Sequence, residues 1–220
     1  VPSLDDLLQS EANRGMEAPY ATEIKTARLI IERAPVNCRP CDVATYFIRV
    51  AAGDMDDELN EHLADYCSEW PVRANPLIVS FFDATTLRKP AGDQTAWCAA
   101  FVNWCIKNSV VGKLDSEQLA GTESAASASF REWGTETAKP EYGDLVVFQH
   151  KSSGGKGHVG FYVRHDDTGI YVLGGNQMPL RVSTPGVYER RNTGEVNLKF
   201  IPTDGKDLKF HSFRTHPALN

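Results

Sequence analysis

Two cysteines stand seven residues apart in the run TAWCAAFVNWC (95–105), among small and apolar neighbours. The spacing predicts one helix over 95–109, and on it positions 98, 101, 102, 105 and 106 share a face. Phe101, Val102, Cys105 and Ile106 make that face apolar, so Cys105 reads as a small buried hydrophobe. Cys98 differs because it lies in the first turn. There the unpaired backbone N–H groups and the positive end of the helix dipole favour a thiolate, which lowers a thiol pKa from about 8.5 toward neutrality. Position alone leaves Cys98 open between nucleophile and structural thiol.

A thiol nucleophile needs a base and a group that orients the base. Histidine titrates nearest neutrality, and the chain has six. His62 falls on a predicted surface helix, His211 and His216 in a polar tail, and His150 and His165 beside turns. His158 opens the run GHVGFYV after Gly154, Gly155 and Gly157. In a strand, Val159, Phe161 and Val163 form the core-facing set, and His158 looks out from the other face beside Gly160, which leaves room. The orienting group is expected from a neighbouring strand. YVLGGNQ ends in Asn176 and Gln177, both amides, and the residues alone leave the choice between them open. A turn at Gly174, Gly175 and Asn176 is the plainer alternative.

The elements that must position these groups change character along the chain. Residues 1–90 read as helices: SLDDLLQSEA with Ser3 as N-cap, TEIKTARLIIERA stopped by Pro35, CDVATYFIRVAAG closed by Gly53, and DDELNEHLADYCSEW before Pro71. NPLIVSFFDA is ambiguous, and LRKPAGDQ (87–94) breaks the pattern. After the cysteine helix, and a possible short helix at 124–133, come the strand-like runs DLVVFQH, HVGFYVR and GIYVLGG with turns between them. Helices first and strands after predict an α+β fold with an antiparallel sheet.

Composition bounds the rest. At 220 residues, 41% hydrophobic and 24% charged, the chain resembles an ordinary globular protein. No apolar run approaches the roughly 18 residues of a membrane span. Residues 1–92 carry 15 acidic and 9 basic side chains, and residues 93–220 carry 14 of each. Neither half has the basic face of a nucleic-acid binder. The opening VPSLDDLLQSEANRG is acidic and mixed, unlike a signal peptide. Five cysteines leave at least one thiol unpaired within the chain. CRPC (38–41) has the spacing of a redox or zinc half-site, with Cys67 and His62 as further zinc ligands in principle. A local disulfide or two partly buried thiols is the plainer reading, and no metal or cofactor is expected.

Four segments, WCAAFVNWC, YGDLVVF, GHVGFYV and VLGGNQ, occur in an order and spacing that resemble the CHAP branch of the NlpC-like, papain-fold peptidoglycan hydrolases. The resemblance covers residues 92–192. It implies a papain-like arrangement, a cysteine helix packed on an antiparallel sheet, with GDLVVF as central strand and Gly143 and Asp144 as its entry turn. It also implies Cys98 as nucleophile, His158 as base and Asn176 as third member, with Gln94, Trp97 and Gln177 as oxyanion or substrate contacts. The expected division is a helical extension over 1–90 and a hydrolase domain over 91–220. The expected substrate is an amide bond of the peptidoglycan stem, cut by an amidase or endopeptidase. By analogy the chain resembles either a toxin delivered to a rival bacterium's periplasm, with a secretion-apparatus carrier and a cognate immunity protein as partners, or a phage lysis enzyme. The competing expectations are a papain-fold acyltransferase, a non-catalytic wall-binding or adaptor protein, and a thiol-redox or zinc module at CRPC.

Overall fold

The structure, a computed structural model, describes residues 20–56, 62–70, 74–87, 90–109, 121–179, 193–217 and 219. The helix expected at SLDDLLQSEA lies outside the described residues. Four α-helices are described: α1 Tyr20–Glu32, α2 Pro40–Ala51, α3 Pro76–Ser80 and α4 Cys98–Asn108. Six strands follow: β1 Thr135–Thr137, β2 Leu145–His150, β3 Ser153–His165, β4 Gly169–Gln177, β5 Glu195–Pro202 and β6 Leu208–Thr215. They form one sheet in the order β1-β6-β2-β3-β4-β5, antiparallel at every pairing. The α+β class and antiparallel sheet are as the sequence predicts. No helix among the described residues is long and apolar enough to cross a membrane.

Local chemistry accounts for the elements that bear on the site. Pro40 sits in the first turn of α2, where its missing N–H costs nothing, and Gly53 ends that region at φ 80. The ambiguous NPLIVSFFDA becomes α3 followed by a 3-10 turn, Phe81–Ala84, because Asn75 caps it and accepts from Leu77 N at 2.9 Å. The expected helix at 124–133 is a 3-10 turn, Ser127–Arg131. The long helix expected before Pro71 is described as a 3-10 turn over Leu63–Cys67, with 57–61 outside the described residues. Gly143, at φ 98, makes the turn into β2, where Asp144 accepts from Glu141 N at 2.8 Å.

The cysteine helix is buried on every side, from Cys98 through Ile106. One flank packs on β3 and β4, and the other meets α2 and the Phe81–Ala84 turn. Phe47, Phe81, Trp97, Phe101 and Trp104 interlock there, with ring centroids 5.2–6.3 Å apart and most pairs edge-on. Asn103 tolerates this burial because its amide bonds Thr122, Ser124 and Glu123. The apolar cluster around α4 runs from Ala27 to Leu219. The helical segment and the strand-bearing segment therefore share one core. A smaller cluster, including Val146, Phe148, Tyr162 and Val172, occupies the sheet's opposite face.

His211 and His216 were expected in a polar tail. Instead β6, which carries His211, lies inside the sheet between β1 and β2. His216 stands just past the strand with its ring 5.4 Å from that of Trp133.

Candidate active site

Cys98 is the first residue of α4, directly after Trp97 at the N-cap position. Its sulfur lies against β3 near the backbone N–H of Val159, and that group and the N–H groups at the start of α4 favour a thiolate there. The sequence argument expected this helix end to lower the thiol pKa. The structure reverses the balance. Cys98 is 3% exposed, and the loss of water around a thiolate outweighs these N–H groups, so the thiol is pushed above its ordinary value. Cys105 is wholly buried two turns further on, and burial raises its thiol well above the ordinary range.

His158 is one residue before Val159 and is itself buried. Strand alternation sends Val159 and Phe161 into the core around α4 and Tyr162 to the other face, as expected. The reason given for Gly160 does not hold: a Cβ there would meet Leu173 O at 2.9 Å and press on Val172, so the glycine admits β4 rather than substrate. His158 Nε2 lies 3.2 Å from Gln177 Oε1. The amide nitrogen of Gln177 is committed as a donor to Asn197 O at 2.6 Å and Asn197 Oδ1 at 2.9 Å, with Val172 O and Gly174 O at longer range. Its oxygen must therefore face the imidazole as an acceptor. Nε2 then carries the proton, and Nδ1 keeps the lone pair. Burial lowers the His158 pKa to about 4; the Gln177 bond opposes this and the Lys199 charge adds to it.

Asn176 and Gln177 exchange the positions expected of them. Gln177 holds the imidazole. Asn176, at φ 55, turns the other way; with its amide oriented to satisfy both partners, it donates to Glu69 Oε1 at 3.1 Å and accepts from Trp97 N at 3.2 Å. The register between β4 and β5 shifts between Gly174 and Gln177, and that irregularity decides which amide reaches His158. Trp97 is fully buried, so its side chain is not a substrate contact; its indole N–H donates to Glu69 Oε1 at 3.0 Å. Gln94 is exposed at the end of the Gly92–Gln94 turn, four residues before Cys98. Sequence reasoning missed Glu69 and Asn197, both far from the cysteine motif, and no local pattern marks either.

The remaining thiols are free. Cys67 donates to Phe47 O at 3.5 Å, Cys41 packs beneath Gly143, and His62 is exposed, so CRPC, Cys67 and His62 do not converge as a ligand set. Among the described residues no group of three His, Cys, Asp or Glu side chains is placed to hold a metal ion.

A thiol at a helix start, its sulfur against the strand residue that follows His158, and a neutral imidazole whose Nε2 is fixed by an amide are the residue types that proton transfer and acyl transfer use. Residues 90–176 match the family model of the CHAP domain, in agreement with the four motifs. The match takes in Cys98, His158 and Asn176 and leaves α1–α3, Glu69, Gln177, β5 and β6 outside it. Neither the curated proteins nor the solved structures include a significant match to the chain.

Proposed function

We propose that this protein is a cysteine hydrolase that cuts an amide bond in the stem peptide of peptidoglycan, with Cys98 as nucleophile, His158 as general base and Gln177 as the group that orients the base. The observation that carries the reading is the joint placement of Cys98 against Val159 and of His158 against the locked amide of Gln177, within the segment that matches the CHAP domain.

Thiol and imidazole both rest uncharged at neutral pH, so the proton moves as the bond forms. His158 Nδ1 takes the thiol proton while sulfur attacks the carbonyl carbon, and the carbonyl electrons move onto oxygen. The backbone N–H of Cys98 receives that oxyanion, with the exposed Gln94 as second donor. Collapse breaks the C–N bond, and His158 returns its proton to the departing amine. Water, deprotonated by His158, then opens the thioester and restores the thiol. Gln177 accepts the Nε2 proton throughout and favours the imidazolium at the moment it forms. The arrangement is papain-like in its roles.

The site of action belongs to the same proposal, because mature peptidoglycan lies outside the cytoplasmic membrane: the protein acts as an antibacterial toxin in the periplasm of a target cell. Purified peptidoglycan digested with the reduced protein should release fragments whose masses identify the cut bond. Cys98→Ala should release none while remaining folded, and Gln177→Ala should slow release about tenfold or more. Expression with an added signal sequence should round or lyse a Gram-negative cell, and expression without it should not. Intact peptidoglycan after treatment with folded, reduced protein would sink the reading.

A further inference from the structure

Glu69 precedes the CHAP-matched segment, yet its side chain reaches the residue next to Cys98. The backbone on either side of it is fixed. Ser68 pairs with Glu195, Glu69 N donates to Gly194 O at 3.0 Å, and Trp70 N donates to Asp93 Oδ2 at 2.8 Å. The carboxylate therefore arrives pre-aimed, and its hydrogen-bond partners are all donors. Trp97 Nε1 lies 3.0 Å and the Asn176 amide nitrogen 3.1 Å from Oε1, and the Gly194 N–H also donates to the carboxylate. The Asn176 oxygen in turn accepts from Trp97 N. Both ends of Trp97, indole and main chain, are thus tied to one half-buried carboxylate at the point where the chain enters α4. A Cβ at Gly194 would stand 2.6 Å from Glu69 Oε1 and against the Asn176 side chain, so any larger residue there would displace one of them.

We propose that Glu69 is a positioning residue of the thiol site, holding the first turn of α4 through Trp97 and Asn176 so that Cys98 keeps its place beside β3. The inference rests on the roles assigned to Cys98 and His158 above. Three converging donors require an acceptor-only carboxylate, and a proton on Glu69 would put a fourth donor among them. The charged group facing Glu69 is Asp93, from the Gly92–Gln94 turn, and like Glu69 it is an anion; Glu195, next to Gly194 on β5, accepts instead from Asn197 Nδ2 at 2.8 Å. Burial first, and Asp93 in addition, raise the Glu69 pKa above the ordinary carboxylate range. His158 stays unprotonated down to about pH 4. The acid-side loss of activity should then follow Glu69 before it follows the base.

The test compares wild type, Glu69→Gln, Trp97→Phe and the double variant on soluble peptidoglycan fragments across pH 4–8. Glu69→Gln should lower kcat about tenfold at neutral pH, with KM within about threefold, because misplacement of the nucleophile acts on the chemical step. Its acid limb should also flatten, since glutamine does not titrate. Trp97→Phe keeps an aromatic six-membered ring at the position and removes the indole donor, and the double variant should be no slower than the worse single one. A Glu69→Gln enzyme with the wild-type kcat and acid limb, or additive losses in the double variant, would overturn the proposal. If Glu69→Gln does not fold, Trp97→Phe alone reads the same link, and an unchanged kcat there overturns it. If wild type itself leaves the substrate uncut, the hydrolase reading fails separately. Iodoacetamide labelling of Cys98, mapped by mass, then decides Glu69: a changed rate in the variant supports positioning, and an identical rate rejects it.

Discussion

The two groups at the heart of the site are both held away from charge. The helix start and the neighbouring strand both offer Cys98 backbone N–H groups, but burial costs a thiolate more than they return. His158 is likewise kept neutral by burial, its pKa lowered to about 4. That shift has a thermodynamic consequence with a definite sign. The unfolded chain takes up a proton on this histidine near pH 6.5, and the folded chain refuses it until about 4. Stability is therefore unaffected above pH 6.5, declines as pH falls through that interval, and has lost the full contribution below it. A shift of this size corresponds to about 3 kcal/mol at most. Denaturant melts at pH 7 and pH 4.5 should show the loss in wild type and a smaller one in His158→Gln. An equal loss in both would mean His158 does not titrate as a buried neutral group. The placement of Cys98 in a first helical turn and of His158 on a strand was legible in the sequence, because helical spacing and strand alternation are local signals; the burial that reverses the helix-end effect on the thiol was not. Nor was the choice between Asn176 and Gln177. It depends on a left-handed residue and a register shift at the end of β4, which a two-residue period cannot anticipate.

At the scale of elements, α4 is the piece whose surroundings explain the rest. Its sequence shows one strongly apolar face, yet Ala99, Ala100, Asn103 and Trp104 on the other sides are buried as well. The second covering layer comes from α2 and the Phe81–Ala84 turn, and long-range packing of that kind leaves no periodic mark on the helix itself. β1, β5 and β6 escaped the sequence reading for a related reason. LKFHSFRT has only three apolar residues, Phe210 and Phe213 fall out of strict alternation, and its buried positions include Ser212 and Arg214, so it reads as tail until β2 pairs with it. The close seat of α4 on β4 makes a sharp prediction at Gly175. A Cβ there would overlap the Trp97 ring and come within 3.0 Å of Phe101 Cβ. Gly175→Ala should therefore cost about 1–3 kcal/mol by overpacking, read as a lower thermal midpoint. Because the strain falls on the residue before Cys98, hydrolysis should drop further than the loss of folded protein accounts for. A thermal midpoint and activity equal to wild type would show that the indole can yield.

The whole molecule bears on whether the hydrolase can be cut free of its helical beginning. The sequence suggests a boundary near residue 90, where LRKPAGDQ interrupts the pattern and the CHAP match begins. The packing runs across that boundary. Phe47 and Phe81 meet Phe101 and Trp104 edge-on, and Phe81 also stacks on Trp97 with ring centroids 6.0 Å apart. Buried Leu77, Ile78, Val79 and Phe82 belong to the same cluster. Each large apolar side chain buried contributes about 1.5–3 kcal/mol, so losing Phe47, Phe81 and Phe82 alone is comparable with the roughly 5–15 kcal/mol by which a typical domain is stable. Deletion also removes Glu69 and leaves the Trp97 indole N–H without its acceptor. Deletion of residues 1–90 should accordingly yield an insoluble or loosely packed remainder without near-ultraviolet circular dichroism and without hydrolysis, although Cys98, His158 and Gln177 are all retained. Trimming only residues 1–19 is a separate comparison; solubility and activity of the two truncations, measured side by side, separate the packing role of the deleted core residues from a docking role. A soluble, active 91–220 fragment would show that the first ninety residues serve a partner rather than the core, and would overturn the shared-core account.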